Sequence, residues 1–446
     1  MPNINKEILT SRLQVELQFE NLTFFFLDWF IGTFLGVLHS FLVNYVYKVV
    51  PEPYMDEIFH IDQARRFCAL NFTWNPKITT PPALYVLSLP FFCGYERYTN
   101  SALIPFAFVG CMQFRQLFQK PFISKLNFRY LEFTLSSLIV LLLPVLFQSS
   151  LLYYTDLLSL TTLLWASSLQ PSIFSSFIFA ISICTRQTNI IWAAIYGLTH
   201  LFILFKKLNK GTSSIMILIR SLLRLWSLIL LPIGFIIFFM LNGNSVVLGD
   251  RLAHQPVAHF MQICYFLIFL CFSSAPLLAL SPKTYRSLGY IIRKPIKLLF
   301  SCLLFTCCVY FFTLQHPYLL ADNRHFTFYI WRRWFLHHPY CKYITIILYI
   351  IALQLFSQMM EHIPRALTLL YILGTAAVLV PAHLLEPRYF IIPYIFWRLS
   401  YPERRFLVII LELIYEIIIN AIVLYIFLYM PFEWLHEPGV KQRFMW

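Results

Sequence analysis

Charge is the first thing this chain has little of. Only 12% of its 446 residues are Asp, Glu, Lys or Arg, about half the share found in ordinary soluble domains. With 59% hydrophobic and 18% aromatic residues, the chain has too few polar side chains to cover a core, which excludes a soluble fold. The same apolar excess excludes intrinsic disorder and a secreted disulfide scaffold. Negative charge is scarcest: 20 Asp+Glu against 34 Lys+Arg give a net charge of +14. In a soluble chain that balance would suggest nucleic acid as a partner. Here no basic stripe interleaves with aromatics on a polar stretch. The bases sit in short clusters between apolar runs, as expected of cytoplasmic loops, so nucleic acid is unsupported.

Metal motifs are missing as well. The ten cysteines lie mainly in or beside apolar runs, with no CxxC pair and no Cys/His cluster at zinc spacing. They read as small hydrophobes in lipid-embedded helices. Residues 1–20 are polar and of mixed charge, unlike a cleaved signal, so the first helix is expected to be an uncleaved signal-anchor. No internal repeat and no leftover soluble segment is found.

What is present is a succession of apolar runs: 22–47, 101–114, 132–149, 157–168, 171–185, 188–205, 222–241, 260–280, 296–314, 343–360, 366–383, 389–400 and 406–430. A span needs about 20 such residues. The expectation is an all-α polytopic membrane protein of about 11–14 helices, one domain over residues 1–446. The run at 81–93 is short and proline-broken, which fits a re-entrant or interfacial helix within a first outer loop at about 49–100. With the N-terminus inside, the clusters Arg115/Lys120/Lys125/Arg129, Lys206/Lys207/Lys210/Arg220, Lys283/Arg286/Arg293/Lys294/Lys297 and Arg398/Arg404/Arg405 all fall on one side. The loops 49–80, 153–156, 242–259, 315–342 and 384–388, with the corner at Arg186, fall on the other. Those loops carry carboxylates, histidines, asparagines and arginines together, and Arg324, Arg332, Arg333 and Lys342 stand there against the positive-inside trend. Isolated arginines anchor at headgroups; several such loops on one face point to a site for an anionic substrate.

The loop PEPYMDEIFHIDQARRFC places Asp56, Glu57 and His60 directly after a span. Its apolar spacing predicts an amphipathic interfacial helix. Asp56 stands at the start of that helix, where a carboxylate serves as a cap or as a general base toward a hydroxyl. Asp62 has an i,i+3 or i,i+4 partner in Arg65 or Arg66. The string LLADNRH packs Asp322, Asn323, Arg324 and His325 consecutively, costly beside lipid unless paired or wet. Arg324 and His325 are donors for phosphate oxygens; the alternative is a cap on the preceding helix. GDRLAHQPVAH supplies Asp250, Arg251, His254 and His259, without the acid that would complete a metal set. YYTD adds Tyr154 and Asp156, RQTN adds Arg186, Gln187 and Asn189, and LLEPRYF adds Glu386, Arg388 and Tyr389. Singly each reads as a polar bridge between helices; together on one face they read as a sugar-phosphate pocket.

YMDEIFHIDQARRFC, WNPKITTPPALYV, YYTD, RQTNIIW, GDRLAHQ, HPYLLADNRHFTFYIWRR and LLEPRYFIIPY occur in the order and at about the spacing of the dolichyl-phosphate-glucose α-1,2-glucosyltransferase family. The resemblance covers about residues 50–400; Asn75 stands where that family commonly has Asp, and Ala83 where it has Gly. It implies a GT-C-like fold, an endoplasmic reticulum membrane location and a lumenal active site. The implied partners are dolichyl phosphate glucose as donor and a diglucosylated dolichyl-diphosphate oligosaccharide as acceptor. No cofactor and no metal are implied. Asp56, with Glu57 as neighbour, matches the family's acidic residue of the first lumenal loop. Arg324, His325, Arg388 and Arg251 would serve the phosphates. A related transferase of another sugar or linkage, or a lipid or sugar transporter, is the alternative.

Overall fold

The computed structural model describes residues 2–118, 126–208, 214–251 and 255–446; His254 and the cluster residues Lys120, Lys125 and Lys210 lie outside them. All thirteen apolar runs are helical. Next to lipid the backbone has no water to bond, so each run satisfies its own N–H and C=O groups as helix. In order these are α1 (Pro2–Val49), α2 (Glu57–Cys68), α3 (Ala83–Ser88), α4 (Tyr98–Gln116), α5 (Leu126–Leu141), α6 (Pro144–Ser150), α7 (Asp156–Ser168), α8 (Ile173–Ile183), α9 (Asn189–Leu208) and α10 (Ser214–Leu241). Then follow α11 (Met261–Ser273), α12 (Ala275–Ala279), α13 (Pro282–Ile292), α14 (Pro295–Phe312), α15 (Pro317–Ala321), α16 (Phe326–Ile330), α17 (Cys341–Ile344), α18 (Ile346–Met359), α19 (Arg365–Leu379), α20 (Ile391–Ser400) and α21 (Phe406–Tyr429). A short antiparallel hairpin, β1 (Phe432–Trp434) and β2 (Glu437–Gln442), closes the chain; the all-α expectation did not include it.

Among the described residues six helices have the length and apolarity of a membrane span, or seven if α5 and α6, bent by 69° at the Pro144 break, count as one. α8, α11 and α19 are apolar but only 10–17 residues long. At 1.5 Å per residue such helices fall short of a bilayer core of about 30 Å. The count of about 11–14 is therefore reached only when the shorter helices are included.

α1 and α4 pack most closely. A Cβ on Gly32 would come within 3.0 Å of Pro105 Cα, and one on Gly36 within 3.0 Å of Ser101 O, so the two glycines let the backbones touch. α4 then links the two ends of the bundle. At one end Arg97 donates to Val50 O at the exit of α1 (2.7 Å). At the other, fully buried Arg115 donates to Leu399 O (2.9 Å) and pairs with Glu132. Arg398–Glu412 and Arg405–Glu403 pairs belong to that second end.

The first end is built on α2. Its buried residues Glu57, His60, Ile61, Ala64 and Phe67 follow helical spacing on one face, while Asp62 and Arg66 form an i,i+4 pair at 2.9 Å outside. Cys68 at its end is joined to Cys93 by a disulfide. This corrects the reading of all ten cysteines as small hydrophobes; eight remain free. The bridge ties α2 to the segment 81–93, which turns back as the six-residue α3 with Leu84 and Tyr85 buried.

Glu57 and Arg97 hold this corner. Both side chains are fully buried and paired in two parallel bonds, Arg97 Nε to Glu57 Oε1 and Arg97 Nη2 to Glu57 Oε2, each 2.7 Å. The carboxylate also accepts the backbone N–H groups of Tyr54 (3.0 Å) and Tyr153 (2.8 Å). Breaking a buried pair from one side costs about 3–5 kcal/mol, because the remaining charge has no solvent. Arg97→Met is expected to lower stability by about that amount, read as a clear loss of melting temperature for purified protein; an unchanged melt would show that the pair does not hold the corner.

Candidate functional site

The chain leaves α1 at Val49 and turns sharply at Met55, whose φ of 59° lies in the left-handed region. A non-glycine residue held there is strained, and the turn sets Asp56 at the head of α2. Asp56 makes no side-chain cap bond to α2, so the capping alternative does not describe it. Its Oδ2 instead accepts from Arg388 Nη2 at 2.8 Å, across 332 residues of chain.

Arg388 sits in the 3-10 turn Pro387–Phe390 that leads into α20. It also bonds Glu386 (Nε to Oε1 2.8 Å), lies 4.0 Å from Asp156 Oδ2, and places its guanidinium 4.9 Å over the Tyr154 ring. Asp156 opens α7, is buried, and pairs with Arg186 Nη2 at 2.8 Å. Arg186 Nε donates to Thr155 Oγ1 (3.1 Å). Tyr389 flanks the group, its phenol pushed up by burial and by the Glu386 charge. His60, on the buried face of α2, shares a 2.6 Å hydrogen bond with Tyr85 OH and meets the edge of Tyr154.

Within this cluster one carboxylate is open. Half of the Asp56 side-chain surface is accessible, against 14% for Glu386 and 2% for Asp156. The cleft walls push its pKa up, but the charge and hydrogen bond of Arg388 outweigh them and hold it below the ordinary value. Asp56 is thus an ionised, solvent-reaching carboxylate. Burial holds His60 down at about 4, so it is neutral at physiological pH. Burial also opposes the Arg388 charge, and Glu386, Asp56 and Asp156 together overcome it and keep Arg388 cationic.

The Asp322–His325 loop lies close enough for His325 to act on Asp56. Its arginine is already engaged: Arg324 forks onto Asp322 (Nε to Oδ1 2.9 Å, Nη2 to Oδ2 2.6 Å), donates to Gln442 (3.1 Å), and lies between the Trp434 and Tyr54 rings. Asn323 Oδ1 accepts from Trp434 Nε1 at 2.7 Å.

Other sequence candidates lie elsewhere. Glu57 is inaccessible and fully occupied, so the structure gives it the corner described above and no reach into the cleft. Asn189 is fully buried, its amide bridging Ser159 and Ser182 between α7 and α8; it is the helix bridge that was the alternative reading. Gln187 Nε2 donates to Thr79 O (2.6 Å), fastening the first loop. Arg251 donates to Asn242 (2.9 Å) on an exposed loop. Asp250 N donates to Pro76 O (3.2 Å); the approach depends on Gly249, where a Cβ would stand 2.1 Å from Pro76 O. Among the described residues no group of three or more His, Cys, Asp or Glu is placed to hold a metal. Arg97, Tyr85 and Trp434 were not singled out from the sequence. Arg97 alone carried a signal, as a charged residue at the head of an apolar helix.

Comparison with known proteins follows the same residues. Proteins named Dol-P-Glc:Glc(2)Man(9)GlcNAc(2)-PP-Dol alpha-1,2-glucosyltransferase are similar over most of the chain. The Mus musculus protein is 32% identical, covering 90% of this chain and 94% of its own length. A Homo sapiens protein is 32% identical with the same coverage, and the Arabidopsis thaliana protein 29% identical over 91% of this chain and 97% of its own. No solved structure matches. The DIE2/ALG10 family matches residues 50–399, from the exit of α1 through the Asp56–Arg388 cluster to the end of α20, and the chain belongs to that family.

Proposed function

We propose that this membrane protein transfers glucose from dolichyl phosphate β-D-glucose to the terminal glucose of the diglucosylated oligosaccharide on dolichyl diphosphate, making an α-1,2 linkage. The names of its relatives supply donor, acceptor and linkage. The observation that carries the residue assignment is the half-open, ionised Asp56 held by Arg388 in an otherwise closed polar cluster.

Passing from a β-linked donor to an α-linked product requires inversion, hence one direct displacement at C1. Asp56 takes the proton of the acceptor 2-hydroxyl as its oxygen attacks C1. The C1–O bond to phosphate breaks and dolichyl phosphate leaves as an anion. That leaving group needs no acid; it needs donors and positive charge. Arg324 and His325 are assigned to that role, Arg324 exchanging its charge-assisted fork on Asp322 for one on the phosphate, while Arg388 stays on Asp56 and Glu386. The donor carries its own activated glucose, so the reaction calls for no cofactor. Glu57 orients the corner and takes no proton.

The bundle end carrying Asp56 is assigned to the lumen of the endoplasmic reticulum. The Cys68–Cys93 bridge in its first loop supports this, because disulfides persist in the ER lumen and not in cytosol. A transporter reading draws no support from these contacts, which join the loops at one end of the bundle only.

Asp56→Asn keeps the shape and removes the basic lone pair. Loss of a general base typically costs about 10²–10⁴-fold, so transfer should fall in that range while both lipid substrates still bind. A variant retaining more than about a tenth of the wild-type rate would remove Asp56 from the base role. The pH profile tests the charge balance. Asp56 acts only when ionised, so activity is lost as pH falls through its pKa. Arg388 depresses that pKa against the push of burial; in Arg388→Met the opposition is gone and the pKa rises. The acid limb of the residual transfer should therefore move up by about one pH unit or more relative to wild type. A limb that stays in place would contradict the pairing.

A further inference from the structure

The segment after α21 lies beyond the family match, which ends at residue 399, yet it reaches the cleft. From Tyr429 the chain forms the β1–β2 hairpin and then runs alongside the Asp322–Phe326 loop. Trp434 Nε1 donates to Asn323 Oδ1 (2.7 Å), and its ring lies 4.8 Å from the Arg324 guanidinium. Gln442 Oε1 accepts from the same guanidinium (3.1 Å). Met445 N donates to Arg324 O (2.8 Å), and His325 Nδ1 donates to Trp446 O (2.8 Å). The Trp446 ring stacks on Phe326 at 4.6 Å.

The other side of the same segment grips the helix ends. Buried Arg443 donates to Phe427 O and Leu428 O (both 2.8 Å) at the end of α21, and to Val49 O (3.2 Å) at the end of α1. Those carbonyls are among the orphan acceptors that every helix leaves at its C-terminus. Arg443 N donates to Tyr54 OH (2.7 Å), two residues before Asp56, and Trp446 N donates to Gln148 (3.3 Å) on α6. One short segment thus bonds α1, α6, α21, the approach to Asp56 and the Asp322–Phe326 loop. With Nδ1 of His325 spent on Trp446 O, Nε2 faces the Asp322 carboxylate at 3.9 Å and donates to a phosphate only as imidazolium.

We propose that residues 432–446 are a strap that positions the Asp322–Phe326 loop for the phosphate of the lipid donor, with Trp434 and Arg443 as positioning residues. The assignment to donor phosphate rests on the glucosyltransferase reading; the strap itself does not. Without it the loop keeps its flanking helices and the Tyr54 ring, and Arg324 loses the Trp434 ring and the Gln442 amide that keep its fork in place.

The test uses the full-length protein with Trp434→Ala, Trp434→Phe and, as control, Leu435→Ala at the exposed hairpin tip. Three quantities are read: hydrogen exchange of the 323–328 amides, KM and kcat for dolichyl phosphate glucose, and melting temperature. In Trp434→Ala the loop amides should exchange at least about tenfold faster and the donor KM rise about tenfold, from loss of one hydrogen bond and one cation–π contact. There kcat should change less than about threefold and the melt little, since the bundle is untouched. Trp434→Phe keeps a ring over Arg324 and should recover part of both effects; Leu435→Ala should match wild type. Unchanged exchange and KM in Trp434→Ala would overturn the strap, as would a fall in kcat that simply follows a lowered melt. Faster loop exchange in a protein whose wild type transfers no glucose would sustain the strap and overturn the assigned reaction.

Discussion

One charge pair organises the functional end of this protein: Asp56 at the head of α2 against Arg388 at the head of α20. The two residues lie 332 positions apart, and everything between them is arranged so that they meet. Arg388 is shared with Glu386 and approached by Asp156, so its charge is divided among three carboxylates while its side chain is almost wholly covered. A cation in that setting is fixed in place, because no other position satisfies it. Asp56 therefore inherits a defined position and a depressed pKa, although one face of it is open. An open carboxylate that stays ionised beside an otherwise sealed polar cluster is what proton abstraction from a sugar hydroxyl requires.

The fold serves this pair by separating two kinds of burial. The helices bury apolar surface against lipid and one another, and their polar connections are forced to the ends. At one end the Arg115–Glu132 and Arg398–Glu412 pairs are closed to solvent. At the other, the loops are cross-tied by the Glu57–Arg97 corner, the Cys68–Cys93 bridge and Arg443, and there Asp56 is left half open. Pairing Arg97, Arg186, Arg324 and Arg388 with carboxylates offsets most of the positive charge at this end.

Much of this was legible in the sequence, and the reasons differ by residue. The interfacial helix at 57–68 was legible because its buried positions keep helical spacing next to a span. The break at 81–93 was legible from its prolines, and the meeting of the 153–156, 386–388 and 322–325 loops from the side assignment alone. The Cys68–Cys93 bridge was not: its two cysteines are 25 residues apart and sit among eight others in apolar runs, so nothing local marks the pair. Glu57 and Asp56 are adjacent and alike in chemistry; only tertiary contact sends one to Arg97 and the other to Arg388. Arg324 was legible as a phosphate donor and is found on Asp322, between rings of Tyr54 and Trp434, partners that pattern reading does not supply. The hairpin beyond α21 breaks the helical pattern with nine residues too polar and irregular to announce strands.

The central claim is that Asp56 and Arg388 act as one unit, and a double-mutant cycle on glucose transfer measures it most directly. If the arginine works by holding and ionising the base, then once Asp56→Asn has removed the base, adding Arg388→Met should cost little more. The double variant is expected to fall within about threefold of Asp56→Asn alone, because effects within a catalytic unit are not additive. A double variant whose loss equals the product of the two single losses would show that the residues act independently, and would contradict the account.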